Sequence, residues 1–355
     1  MDSLKYVGLD VHRDTISVVV LEESGKMVMQ TTLATQSGAL LDLVGGLRGT
    51  VHLTFEEGTH SAWLHDLLVR RVARVVVCDP RQNALLKAGN KSDRIDARKL
   101  AELLRAELLS PVYHGETSTV TLKHLCRSYT ALTEDTTRVK GRIKALYRSQ
   151  AISSAGKKAY GRRHRDEWLV QLTQAGMHRR AERLYEELDA LLSLRRAARR
   201  ELIVESRKHD AVKLLCTVPF LGPIRAAVLV GRVQTPHRFR SKRPFWSYCG
   251  LALETRSSAD YRFQEGQLVR AKKPLFIRGL NVNHNHDLKN LFKSAATAAS
   301  AMPGPFRLFY ENLLTKGMQP AMARLTLARK IAAIALCVWK KGEPFNAEHL
   351  KPQAA

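Results

Sequence analysis

The sequence is short of negative charge: 33 Asp and Glu stand against 58 Lys and Arg, a formal excess of +25 over 355 residues. A chain so unbalanced repels itself, which argues against a basic partner and for a polyanion whose phosphates release counterions when neutralised. Long apolar runs are missing too. No stretch approaches the ~18 residues that a membrane span requires, and Met1 to Lys5 lack the charged and apolar regions of a signal peptide. With no basic amphipathic anchor either, nucleic acid in a cytoplasmic, nucleoid-associated setting is the expected polyanion. Aromatics make up 6% of the chain, too few for a row of stacking platforms, so grip on a phosphate backbone is favoured. The five cysteines (Cys78, Cys126, Cys216, Cys249, Cys337) lie far apart without a CxxC pair. That excludes a disulfide framework and a zinc site of the usual spacing, leaving small buried hydrophobes in a reducing compartment.

A hydrophobic content of 45% is ordinary for a globular chain, and the length suits two or three domains. Residues 5–112 alternate strand and helix signals. Lys5–Leu9, Thr15–Leu21 and Lys26–Thr32 are apolar or β-branched runs between short turns, an antiparallel meander. A helix from about Ser37, a strand Val51–Phe55, a helix from Ser61, a strand Ala73–Cys78 and a helix from Asp93 follow. Three hairpin strands and then αβαβα is the order of a ribonuclease-H-like fold. Residues 116–210 read as helical, with a heptad seam (Leu122, Leu125, Tyr129, Leu132, Thr136, Val139, Ile143, Leu146) and a second one (Leu184, Leu188, Leu191, Leu194, Ala198, Leu202). Gly, Ser and Lys in Ser153–Gly161 break the first seam, so a helical hairpin is expected, either a solvated coiled-coil surface or a dimerisation arm that holds nucleic acid. From Ala211 onward, Val218 to Pro223 form a Gly/Pro turn between apolar helical runs, as in a helix–hairpin–helix. A last helix spans about Ala321–Trp339. The fold class is therefore α/β plus α: a ribonuclease-H-like domain (1–112), a coiled-coil arm (113–210), a mostly helical C-terminal domain (211–345) and a tail (346–355).

In so basic a chain the carboxylates are informative. Asp10 closes the first strand, Glu56 the fourth, and Asp93 and Asp96 share one side of a helix start. If strands one and four are neighbours, Asp10 and Glu56 meet, and the last helix can bring its acidic pair over them. Four hard oxygen donors suit Mg²⁺ or Mn²⁺, and two such ions can assist both the attacking and the leaving oxygen of a phosphodiester. Each acid also has a plain structural role open to it: Asp10 as a turn cap, Glu56 as an exposed strand end, Asp93 as a helix N-terminal acid. Glu57 rivals Glu56, while Asp14 and Asp79 look structural.

The pieces VGLDVHRDT, FEEGTHSAWL, NKSDRIDARKLAELL, VPFLGPIRAAVLVGRV, FWSYCGL and LARKIAAIALCVWKKGEPF, in this order over roughly residues 5–345, resemble transposases of the IS110 family of insertion sequences. The resemblance implies that the ribonuclease-H-like domain is RuvC-like, with Asp10, Glu56, Asp93 and Asp96 as metal ligands. It implies a C-terminal serine that links covalently to DNA, and a structured bridge RNA that pairs with donor and target DNA. It also makes a homo-oligomer, a dimer or tetramer formed through the coiled coil, the expected assembly. The family's Ser-Gly aligns best with Ser258, where Ala259 replaces the glycine, and Ser257 remains open. Arg270, Lys272, Lys273 and Arg278 read as nucleic-acid phosphate contacts near the serine. Two other functions fit the same residues: a junction-resolving metal-dependent nuclease, and a non-catalytic nucleic-acid-binding scaffold whose acids only cap helices. His284-Asn285-His286-Asp287 reads as loop and cap residues, and Trp63, Trp246 and Trp339 as core.

Overall fold

The computed structural model describes residues 3–81, 92–114, 119–255, 261–264, 266–270 and 277–350. The chain divides into two compact units, Met1–Gly115 and Glu116–Ala355.

In the first unit, strands β1 (Leu4–Val11), β2 (Thr15–Glu22), β3 (Met27–Ala34), β4 (Thr50–Glu56) and β5 (Arg74–Cys78) form one sheet in the order β3-β2-β1-β4-β5. The first three strands are antiparallel to one another, whereas β4 lies parallel to both β1 and β5. Strands one and four are thus neighbours, as expected, and the mixed sheet is consistent with a ribonuclease-H-like domain. Helices α1 (Ser37–Gly46) and α2 (Ser61–Leu68) cover one face, where Leu40, Val44, Leu64 and Leu68 bury Val7, Leu9, Val18, Val20, Leu53 and Phe55. Helix α3 (Asp93–Arg105) covers the other, packing Ala97 and Ala101 on Val19 and Leu21. Burial on both faces explains why the middle of β2 is an unbroken apolar run apart from Ser17.

α3 begins where physical chemistry favours it. Ser92 accepts a hydrogen bond from Ile95 N at the N-cap, Asp93 and Asp96 lie in the first turn, and Arg105 in the last, each complementing the helix dipole. Its two core alanines let it sit unusually close to β1. A Cβ built on Gly8 would stand 2.1 Å from the Ala97 carbonyl oxygen and 2.6 Å from Ala101 N. Glycine is the one residue that this contact admits.

In the second unit, α4 (Val120–Arg148) and α6 (Ala175–Ser206) pack along each other, and the short α5 (Arg165–Leu169) is pinned to α6 by a bidentate Arg165–Asp189 pair, both contacts 2.8 Å. The pair has two cores. One joins Val139, Ile143 and Tyr147 to Leu184, Tyr185 and Leu188. The other roots Leu122, Cys126 and Leu202 among the helices that follow. The expected seam is interrupted at Leu194, which is 56% exposed. Leu194 falls between the two cores, and burial resumes at Ala198 and Leu202.

The remaining helices are α7 (Asp210–Leu215), α8 (Pro223–Val233), α9 (Lys242–Tyr248), α10 (His286–Ala301), α11 (Pro305–Thr315) and α12 (Pro320–Lys341). Four short strands unforeseen from the sequence lie among them: β6 (Leu253–Thr255) pairs with β9 (Ile277–Leu280), and β7 (Tyr261–Gln264) with β8 (Gln267–Arg270). Two expected burials fail. Trp63 is 38% exposed on α2, and Cys216 is exposed just past α7; Cys78, Cys126 and Cys249 are buried. No helix among the described residues is long and apolar enough to cross a membrane.

Because α3 leaves no room at Gly8, Gly8→Ala should destabilise the first unit by about 3 kcal/mol or more, measured by urea unfolding. Gly45→Ala, in α1 with nothing within 4 Å, should be neutral or stabilise by up to about 1 kcal/mol. Equal effects at both positions would refute the close approach.

Candidate functional site

The site starts from strand parity. In β1, Tyr6, Gly8 and Asp10 alternate onto the face that α3 covers, while Val7 and Leu9 point to the α1 and α2 side. In β4, His52 lies on the α3 face, its ring edge-on to Tyr6 at 5.8 Å. The parallel register pairs Leu9 with Phe55, so Asp10 and Glu56 follow as the next residues of adjacent strands, both on the α3 side. Thr54 occupies the buried position before Glu56 and donates to the Val76 carbonyl at 2.7 Å, tying β4 to β5.

α3 brings its first turn to the same corner. His12 Nε2 lies 3.1 Å from Asp10 Oδ2 and 3.4 Å from Asp93 Oδ1, and one ligand atom from each of these three residues falls within 4.8 Å of the others. Asp96 sits one turn along. Its Oδ1 is buried and accepts no hydrogen bond, with Lys99 Nζ at 3.7 Å. Burial raises the Asp10 carboxyl above its ordinary range, His12 opposes the shift, and the charges of Asp93 and Asp96 add to it.

These residues fit a divalent cation. The donors are mainly hard carboxylate oxygens, the choice of Mg²⁺ and Mn²⁺. Among the described residues the buried Asp96 oxygen, beyond its ion pair with Lys99, has no hydrogen-bond partner, a contact that a cation's bound water would supply. His12 was not anticipated from the sequence, though the signal was there: it lies two residues beyond Asp10, so an extended chain puts both side chains on one face.

Glu57 goes elsewhere. Its Oε2 lies 2.8 Å from His114 Nε2, and His114 stacks on His65 of α2 at 4.8 Å, which assigns it to the opposite face of the sheet. Asp79 accepts from Arg81 N at 2.9 Å, and Asp14 pairs with Arg13 at the surface. Asn285 caps α10 by accepting from Leu288 N, and the His284 ring fills the space that a Cβ on Gly250 would need. Ser257, Ser258, Lys272 and Lys273 lie outside the described residues; Arg270 closes β8 and Arg278 falls within β9.

A mixed sheet with carboxylates gathered at the end of its first strand is consistent with a ribonuclease-H-like domain, and sequence comparison makes the class specific. A DEDD transposase model of the IS110 group matches residues 7–149, and a second, described as transposase IS116/IS110/IS902 family, matches residues 212–311. A curated Sinorhizobium fredii protein that bears a transposase name, y4pF/y4sB, is 27% identical over 140 residues, which is 39% of this chain and 34% of that protein. The chain thus spans about a third of the length of that relative. It belongs to the IS110 family of transposases.

The raised Asp10 carboxyl has a consequence for stability. A group that binds its proton more tightly when folded contributes stability below its unfolded value, and that contribution is lost as pH rises through the raised folded value. At neutral pH in chelator, Asp10→Asn should therefore stabilise the protein, by about 0.5–2 kcal/mol. Added Mg²⁺ or Mn²⁺ should raise the melting temperature of the unaltered chain but not of the variant. Destabilisation by Asp10→Asn in chelator would show that the carboxylate is a structural cap.

Proposed function

We propose that this chain is a DNA transposase that cuts and rejoins a mobile insertion sequence, holding Mg²⁺ or Mn²⁺ on Asp10, Glu56, Asp93 and Asp96 and linking DNA transiently to Ser258. The observation that carries the reading is the convergence of part-buried Asp10 with Asp93 and Asp96 in a chain of net charge +25. Mutual repulsion of carboxylates is a poor structural device, and it becomes useful where a cation must be held. Bound divalent ions supply Lewis-acid polarisation of a phosphodiester and neutralise charge developing on it.

The chain's own residues do the rest. Strand ends fix Asp10 and Glu56 on a buried scaffold, α3 adds Asp93 and Asp96 from a dipole-stabilised first turn, and His12 orients the Asp10 and Asp93 carboxylates. Ser258, with Ser257 as the neighbouring choice, would form a bond from Oγ to phosphorus as the bond to the leaving deoxyribose oxygen breaks. The phosphodiester is thereby conserved for rejoining by reversal. Arg270, Lys272, Lys273 and Arg278 would grip the backbone beside it.

The finer organisation is proposed on the family resemblance: a RuvC-like domain over 1–112, a coiled-coil arm over 113–210 through which a dimer or tetramer forms, a serine transposase domain over 211–345, and a tail. A structured bridge RNA would pair with donor and target, so that base pairing carries specificity and the protein reads shape and backbone.

The test uses end-labelled element DNA, the RNA transcribed from its flank, and Mg²⁺. Ser258→Ala should abolish the covalent adduct and strand joining while binding persists. Asp10→Ala and Asp93→Ala should each reduce cleavage by at least about 100-fold. An adduct that survives Ser258→Ala overturns that serine. Product that is only hydrolysed and never rejoined identifies a junction-resolving nuclease, and unchanged activity in the acid variants leaves only a binding scaffold.

A further inference from the structure

Within the second unit, α9, α11 and α12 line an open cavity of about 910 Å³ that no part of the proposed reaction uses. Its volume lies within the range of about 300–1,000 Å³ typical of ligand sites. The wall is apolar, led by Trp246, Phe309 and Ile334. The charges around it are of one sign: Arg240, Lys242, Arg329, Lys330, Lys340 and Lys341, with no Asp or Glu in the lining.

Several of these cations are not merely surface decoration. Lys330 is part-buried, and its ammonium is held below its ordinary range by burial and by Lys242. Arg329 donates through Nε to the Leu251 carbonyl at 2.6 Å, yet its Nη2 is buried without a hydrogen-bond partner among the described residues. Trp246 is fixed in place, its Nε1 donating to the Arg329 carbonyl at 2.9 Å, with Lys242 Nζ over the ring at 5.8 Å. Lys340 donates to the Phe239 carbonyl, and Lys341 stands 4.0 Å from Glu343, outside the cavity lining.

Gathering cations at an apolar hollow is costly: each loses hydration and repels the next, and an unsatisfied buried donor adds its own penalty. A ligand that offsets both costs must carry anionic acceptors and a flat apolar body together. A phosphate alone would leave the aromatic wall unused, and an apolar ligand alone would leave the charge uncompensated. A nucleotide has both parts. In a duplex its base is stacked away from such a wall, so the nucleotide must be unstacked.

We propose that this cavity takes up one unstacked nucleotide of a single strand, its base against Trp246 and Phe309 and its phosphates on Lys242, Lys330 and Lys341. The proposal rests on the nucleic-acid function above and adds the place and the form of strand that is held. A displaced DNA strand and a single-stranded RNA segment share this chemistry.

Cys337 also lines the cavity and is part-buried, whereas Cys216 is exposed elsewhere and serves as an internal reference. Full-length protein is alkylated with iodoacetamide, and each cysteine's rate is read by peptide mass. Short single-stranded DNA, single-stranded RNA of the same sequence, the DNA duplex, heparin and a poly-glutamate peptide are compared. A single strand should slow alkylation of Cys337 by about tenfold and leave Cys216 unchanged, while duplex, heparin and poly-glutamate do not protect. Whichever of DNA and RNA protects is the source of the nucleotide. Ala333→Phe, which fills the hollow, and Lys330→Gln, which spares the packing, should each weaken single-strand binding by about tenfold without affecting duplex binding. Equal protection by heparin or poly-glutamate overturns the proposal, as does undiminished single-strand binding in both variants. If single strands leave Cys337 unprotected while the protein still binds DNA or RNA, the cavity assignment alone falls. If it binds neither nucleic acid in any form, the function on which the assignment rests falls with it.

Discussion

The close approach of α3 to β1 at Gly8 governs the geometry of the acidic site. Two alanines on the helix and a missing side chain on the strand let the backbones meet, the Ala97 carbonyl resting where a Cβ on Gly8 would be. One turn before Ala97, at Asp93, the same helix begins. Its first turn is therefore delivered to the end of β1, where Asp10 lies two residues beyond Gly8. A larger residue at position 8, 97 or 101 would lift the helix and take Asp93 and Asp96 away from Asp10. The chemistry of the corner depends on a packing contact between residues that carry no chemistry.

That corner is stabilised against its own charge by its surroundings. Asp93 and Asp96 lie in the first turn of α3, where the helix dipole favours negative charge, whereas Asp10 sits at a strand end that offers no such field and is the more deeply covered. Burial and two neighbouring carboxylates all push Asp10 toward its protonated form, and His12 is the nearby group that pushes back. The four-residue arrangement is thus uneven. Two acids are held by the helix, one is destabilised by the strand, and an imidazole spans the gap between Asp10 and Asp93. Such an arrangement costs folding free energy, in keeping with a site kept for binding.

Much of the first unit was legible because each strand is short, β-branched and bounded by turns, and because the parallel pairing of β1 with β4 follows from strand order. Asp10 and Glu56 could be read as ends of adjacent strands for that reason, with the acidic pair of α3 able to lie over them. The direction Glu57 takes could not be read, since it depends on which face α3 covers; the Glu57–His114 pair lies on the face opposite to Tyr6 and His52. His12 was passed over because it stands just past the end of β1, outside the run whose alternation was read. In the second unit, the seam was legible at Leu184, Leu188, Ala198 and Leu202 and misleading at Leu194, which falls between the two cores. Strands of three or four residues, such as β6 and β8, are too short for alternation to register. Trp63 and Cys216 were misplaced by a rule that averages over types: a helix of eight residues such as α2 has too narrow a buried face to cover every apolar side chain it carries.

The positive charge also sorts into two physical kinds. Along α4 and α6, arginines such as Arg138 and Arg183 extend into water beside Asp135 and Glu186, where each ion pair is worth little and solvent screens the rest. Such a surface attracts any polyanion and discriminates among none. Around α9 and α12, Lys330 and Arg329 are part-covered and lack carboxylate partners in the wall they share. Screening is weaker there, the cost of leaving the charge uncompensated is higher, and the aromatic wall restricts what can compensate it. Net charge alone identifies a polyanionic partner. The desolvated fraction of that charge is what can distinguish one form of the partner from another, because only there does the shape of the ligand decide whether the charge is met.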